Sequence, residues 1–359
     1  MIMEKKKTIT IILVLIVGFI LFDWFIIEPN KTPGDPINKG NRYLGIDVNA
    51  AEDGEYDLAF NIAHSIGMDF VTISQGWDDI ETSPENYTNN TLDIANVYYP
   101  AKNCKLALII TPIDTNVDRR PLDLRDKSFN DTQVIIRFEK LIDVIFLRLN
   151  EIDFHSISIG NEIDIYLGND QDNWSEYIDF YDEITEYIRS NHPNIPIGVK
   201  ATFNGLMVTN KVELQNINQF SDVVMVTYYP LNADFTVKNP AIVEEDMNAL
   251  CEYYVNSNIS IMEAGYPSSS VIGSSQSKQA DFVQKMFQSW DGHSDQIQTM
   301  TFVWMHDKST QEIDAFGNYY GISDQNFKEY LGSLGLRANN GDAKAAWNKL
   351  VSESEKRGW

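Results

Sequence analysis

The chain has 359 residues, enough to bury a large core, and a formal net charge of −24 from 52 acidic and 28 basic residues. So strong an excess of acid repels nucleic acid and anionic lipid surfaces, and it points to neutral or cationic partners instead. Its two cysteines, Cys104 and Cys251, fit neither a disulfide scaffold nor a CxxC metal site; both are expected as buried thiols.

At the amino terminus Lys5, Lys6 and Lys7 precede an apolar run from Ile9 to Ile27 that holds Asp23 near its far end. The run has about the ~20 residues needed to cross a bilayer, exceeds the apolar core of a cleaved signal, and is followed by no A-x-A type site. An uncleaved single-pass transmembrane anchor over 8–27 is expected. By the positive-inside rule, 1–7 is then a short basic cytoplasmic segment, and the folded part is extracellular at the cell membrane. A cleaved secretory signal would put the folded part in the same place. Triplets such as Asn86 to Thr88 and Asn130 to Thr132 resemble glycosylation acceptors and agree with export. Residues 28–41 hold Pro29, Pro33, Gly34, Pro36 and Gly40 and read as an extracellular linker.

After the linker, strand and helix signals alternate to the end of the chain. Tyr43 to Asn49 reads as a short buried strand, and Tyr56 to Ile66 carries apolar residues at helical spacing. Phe70 to Ser74 is the second strand, leading into Gln75, Gly76 and Trp77, then a polar stretch with Pro84 and a helix near Leu92 to Tyr99. Leu106 to Thr111 is the third, followed by a long loop through Arg119, Arg120 and Arg125 and an amphipathic helix from Val134 to Leu149. The fourth strand begins at Ser156 and breaks at Gly160, whose freedom lets the chain turn and present Asn161 and Glu162. A helix over Trp174 to Ile188 follows. Ile195 to Thr202 and Val223 to Thr227 are the fifth and sixth strands, the latter passing into Tyr228, Tyr229 and Pro230. A helix from Ile242 to Val255 returns the chain to Ile259 to Met262, the seventh strand, which stops at Glu263. Ala280 to Trp290 is helical and Met300 to Trp304 is the eighth strand. A polar loop rich in Asp, Gly and Tyr leads to a last helix near Ala343 to Ser352. In that loop Asp314, Asn318 and Asp324 lack the spacing of a calcium-binding hand and read as solvated. Eight strands buried on both faces and separated by helices predict an α/β chain, a single (β/α)8 TIM barrel over 42–359.

In such a barrel the functional groups lie at the carboxyl ends of the strands. In strand order this sequence offers Asp47 and Asn49; Gln75 and Trp77; Asp114; Asn161, Glu162 and Asp164; Asn204; Tyr228 and Tyr229; Glu263 and Tyr266; Trp304, His306 and Asp307. A rim that is acidic and aromatic, with few histidines and no phosphate-cradling glycine loop, calls for no metal or cofactor. It suits carbohydrate chemistry, which uses two carboxyl groups and flat apolar faces for sugar rings. Glu162 and Glu263, at the ends of strands 4 and 7, can serve as the two carboxyl groups of a retaining glycosidase, one protonating the leaving oxygen and the other attacking the anomeric carbon, with an oligo- or polysaccharide as partner. A non-catalytic carbohydrate-binding or surface protein on the same barrel is the alternative.

The Asn161-Glu162 pair after strand 4, Glu263 after strand 7, the tyrosine after strand 6 and Trp304 after strand 8 resemble the clan of retaining glycoside hydrolases with catalytic glutamates on those two strands. IGNEID together with EAGYP is most similar to the arabinogalactan endo-β-1,4-galactanase family. The resemblance covers the barrel from about Tyr43 on. It implies Glu162 as acid/base, Glu263 as nucleophile, Asn161 as the contact to the sugar 2-hydroxyl, Tyr228 as the holder of Glu263 and Trp304 as the floor of the innermost subsite. The clan commonly places an arginine beside the nucleophile at the end of strand 2. Here that stretch is Ser74-Gln75-Gly76-Trp77, so the role is empty unless Arg119 or Arg120 swings in.

Overall fold

The β-strand signals of this sequence are mostly Val, Ile, Leu, Met and Ala, with small residues between, so both faces of most strands must be covered. A computed structural model describes residues 36–359. The basic segment, the apolar run and most of the linker lie outside them; among the described residues no helix is long and apolar enough to cross a membrane.

Eight strands form the barrel wall: β1 (Tyr43–Ile46), β2 (Phe70–Gly76), β3 (Lys105–Asp114), β4 (Phe154–Asn161), β5 in two pieces (Ile197–Gly198 and Lys200–Thr202), β6 (Val224–Tyr228), β7 (Ile259–Ala264) and β8 (Ile297–Phe302). All neighbours are parallel, and β8 returns to β1 with Leu44 opposite Met300 and Ile46 opposite Phe302. The fifth strand is not continuous. Its first piece pairs with β4 and its second with β6, and the Lys200 N–H freed at the break donates to the Ser158 hydroxyl at 3.1 Å. The wall is thus closed by a side chain where its ladder is interrupted.

Helices α1 (Tyr56–His64), α2 (Asn90–Ala101), α3 (Thr132–Arg148), α4 (Gln171–Asn191), α5 (Lys211–Ile217), α6 (Ile242–Tyr253), α7 (Gln276–Gly292) and α8 (Ala345–Glu355) follow the eight strands. Strand alternation sorts the apolar residues into two layers. Val71, Leu106, Leu108, Val224 and Ile261 join the helices in the main core. Their neighbours Phe70, Ala107, Met225 and Met262 form a separate small cluster on the inner face, with the His155 ring stacked 4.2 Å from Phe70.

Two connections differ from expectation. After β2 the chain makes a short helical turn, Trp77–Ile80, and a hairpin of Glu81–Ser83 with Asn86–Tyr87. The loop after β8, expected as solvated, folds into helices Thr310–Tyr320 and Gln325–Gly332. Ser309 and Glu312 close a capping box on the first, and Asp324 caps the second. Asp314, weighed as a calcium ligand, is paired with Lys328 at 2.7 Å.

Candidate functional site

Four strand ends converge at one point of the barrel mouth. At the end of β4, Gly160 has φ +98°, and a Cβ there would stand 2.5 Å from Ile163 and 2.6 Å from the Tyr177 hydroxyl, so only glycine fits. The next turn places Glu162 in the left-handed region (φ 47°, ψ 45°), a conformation that costs a non-glycine residue about 1 kcal/mol. Its carboxyl group is held by two hydroxyls: Thr227 of β6 donates to Oε1 at 2.7 Å and Thr115 of the β3 loop donates to Oε2 at 3.0 Å. Burial pushes the Glu162 carboxyl up to about 7, and the negative charge of Glu263 acts in the same direction.

Thr227 also links the two glutamates through the wall, because it stands opposite Glu263 in the register of β6 and β7. Glu263 has different company. Tyr229 donates to its Oε2 at 2.5 Å, and the ammonium of Lys200 lies 2.5 Å from its Oε1. Gly265 makes room for the tyrosine, since a Cβ there would lie 2.4 Å from the Tyr229 ring. Lys200 is 1 % exposed and rises from the inner face of β5.

Around this pair, Asn161 donates from Nδ2 to Asp114 at 2.7 Å, which fixes the orientation of its amide; its Oδ1 is buried and has no partner. Asp164 accepts from the Thr202 amide at 2.9 Å and hydroxyl at 2.6 Å, and burial pushes it up to about 6. Asp47 is pushed up to about 6 by burial, against the pull of Lys308. Trp304 is half-buried, with one face on Phe316 at 5.7 Å and the Lys308 ammonium 4.8 Å from its ring centre.

Other expected rim residues are spoken for elsewhere. Trp77 is fully buried, with its indole N–H on Glu81 at 2.7 Å and its ring against Phe138, so it has no face to offer a sugar. The Tyr228 hydroxyl points away from Glu263 and donates to Asp246 at 2.7 Å, which leaves the holding of Glu263 to Tyr229. Tyr266 is buried and donates to the Lys238 carbonyl at 2.6 Å. The buried His306 is clamped to Asn49 through its Nδ1 at 2.7 Å, Asp307 is paired with Lys344 at 2.9 Å, and Asn204 is exposed at the start of a π-helical turn. Neither Arg119 nor Arg120 reaches Glu263. Arg119 pairs with Asp78 at 2.7 Å and Asp79 at 2.8 Å, and Arg120 pairs with Asp118 at 2.7 Å. Lys200 escaped the sequence reading, although a lysine inside a strand buried on both faces is itself a signal, because such a charge is buried only when paired.

No protein-family model matches the chain, and no curated protein matches it by sequence. Solved structures do resemble it. An exo-β-1,4-mannosidase from an Opitutaceae bacterium superposes with a TM-score of 0.68 at 13% identity, over 91% of this chain and 62% of that one. A GH5_18 variant from Bifidobacterium longum in complex with Manb1-4GlcNAc gives 0.65 at 12% identity, over 88% and 78%. A family 39 glycoside hydrolase from Bacteroides cellulosilyticus gives 0.59 at 11% identity, over 89% and 64%. The chain therefore spans less than two thirds of the mannosidase and of the family 39 protein. What it shares with them is the (β/α)8 barrel fold of these glycoside hydrolases.

Proposed function

We propose that the chain is a retaining glycoside hydrolase that cleaves β-linked oligo- or polysaccharides, with Glu162 as acid/base and Glu263 as nucleophile. It acts outside the cell, held to the membrane by the run from Ile9 to Ile27. One observation carries this reading: the two carboxyl groups have unlike surroundings. Glu162 is held by hydroxyls alone and keeps its proton up to about 7, whereas Glu263 faces a buried ammonium. Carboxyl groups in such unlike surroundings can divide the work of acid and nucleophile. Glu162 protonates the leaving oxygen as Glu263 attacks the anomeric carbon; Glu162 then takes a proton from the water that releases the sugar. By the motif resemblance, Asn161 serves the sugar 2-hydroxyl and the half-buried Trp304 floors the innermost subsite.

Two substrates lead. β-1,4-Galactan follows from the motif resemblance, and β-mannosides from the activity and bound ligand of the structural neighbours. The test is turnover on aryl β-mannosides, β-galactosides and β-glucosides and on the two polymers, with the anomer of the first product read by NMR. Retention, lost in Glu263→Gln and Glu162→Gln, is expected. An inverted product overturns the mechanism, and glycan binding without any turnover replaces it with a non-catalytic surface protein.

A further inference from the structure

A retaining nucleophile has to be ionised when it attacks, aimed while it does so, and able to leave afterwards. Glu263 is half-buried, and the carboxyl groups of Glu162 and Asp47 are close enough to interact with it. Tyr229, Tyr320 and Tyr330 also face it, and all three phenols are held neutral, above their ordinary value, chiefly by burial. Among the described residues the cation paired with it is Lys200. The end of β2 cannot supply one, because Gly76 has no side chain and the space beside it holds the guanidinium of Arg119, already committed to Asp78 and Asp79.

We propose that Lys200 is the positioning residue of the nucleophile: its ammonium keeps Glu263 ionised and aimed, and draws the carboxylate back out of the glycosyl ester. The inference rests on Glu263 as nucleophile. In the first step a lone pair on a Glu263 oxygen forms the bond to the anomeric carbon. The glycosidic C–O bond breaks, and its electron pair goes to the leaving oxygen, which takes the Glu162 proton. The carboxylate becomes a neutral ester and Lys200 loses its counter-charge. In the second step water oxygen bonds to the anomeric carbon and gives a proton to Glu162. The ester C–O bond breaks, and its pair returns to Glu263 opposite the ammonium. Lys200 is matched before and after the cycle and unmatched in between, so it works against accumulation of the ester.

Lys200→Met removes the charge and keeps most of the stem; Lys200→Arg keeps the charge. In Lys200→Met the acid limb of kcat/KM should move up by about one pH unit or more, as loss of a neighbouring opposite charge requires. Steady-state kcat on an activated aryl glycoside should fall on the order of 10²-fold, with a pre-steady-state burst of the released phenol. Lys200→Arg should keep the wild-type limb and show no burst. An unmoved limb without a burst in Lys200→Met, or the same change in both variants, overturns the proposal. A Lys200→Met chain that fails to fold while Lys200→Met/Glu263→Gln folds still supports the pairing; failure of both assigns Lys200 to packing and overturns it. If the wild type turns over no substrate, the hydrolase reading fails by itself. The carboxyl 13C titration of Glu263, assigned by difference from Glu263→Gln, then decides the pairing: an upward move in Lys200→Met supports it, and no move overturns it.

Discussion

Glu162 shows how a single residue position is specified from several strands. Its left-handed backbone is a local cost, and it persists because Thr115 and Thr227 fix the carboxyl group from β3 and β6. The Thr227 bond stabilises the ionised form and opposes the upward push of burial. If Glu162 is the general acid, kcat/KM falls as pH rises through about 7, because above that value the group has lost the proton it must donate. Thr227→Val removes the opposing hydrogen bond, so the basic limb should move to higher pH by some tenths of a unit to about one unit. Steady-state rates from pH 5 to 9 on one aryl glycoside check both statements. A limb that stays put in Thr227→Val would detach this hydroxyl from the titration.

The helices Thr310–Tyr320 and Gln325–Gly332 are elements with a core of their own. Ile313, Phe327, Tyr330 and Leu331 pack there with Ile272 and Leu334, apart from the main core. Polar contacts tie the pair to the β3 loop: Tyr319 donates to Asp114 at 2.7 Å, Arg119 donates to the Tyr319 hydroxyl at 3.0 Å, and Asn116 donates to the Tyr320 carbonyl at 2.9 Å. Tyr319→Phe removes two of these ties, each worth about 1 kcal/mol, so amide exchange in 310–320 should quicken by roughly fivefold to thirtyfold while β3 and β4 stay protected; unchanged exchange would mean that the apolar cluster alone holds the helices. Elements of this kind mark what the sequence conceals. The eight strands were legible because each is a short β-branched run buried on both faces, and Glu162 and Glu263 because each ends such a run. The stretch after β8 read as loop because Gly317 and Gly321 sit in a polar run, and the capping box at Ser309 and Glu312 that starts its first helix went unread. Which of Tyr228 and Tyr229 faces inward depends on strand parity, where a slip of one residue exchanges them. The burial of Trp77 depends on Glu81, and Glu81 on Arg137, which is 56 residues away in the chain. The break in β5 follows from closing the barrel, which no local pattern states.

The whole molecule bears the consequence of keeping several carboxyl groups dry at its mouth. Glu162 is raised to about 7, and Asp47 and Asp164 each to about 6, all first by burial. In each case the folded chain holds a proton that the unfolded chain releases at lower pH, so each group's contribution to stability is present below its unfolded value and falls as pH rises toward its folded one. His155 runs the other way. Burial lowers it to about 4, so its contribution is lost as pH falls from about 6.5 toward 4, and this partly cancels the carboxylates in an ordinary pH–stability curve. A difference between two chains removes the cancellation, because His155, Asp47 and Asp164 stay in both. Glu162→Gln keeps the shape of the side chain and deletes its titration, and it also relieves Glu263 of a neighbouring charge. The Tm advantage of Glu162→Gln over the wild type should therefore be smallest near pH 4.5, widen as pH rises through 5 and 6, and level off above about 7, where Glu162 is ionised in both states of the wild type. Thermal melts at half-unit intervals from pH 4.5 to 8.5 read this directly. A gap that is the same at both ends of the range would show that Glu162 carries no buried charge, and would remove the physical basis for its separation from Glu263.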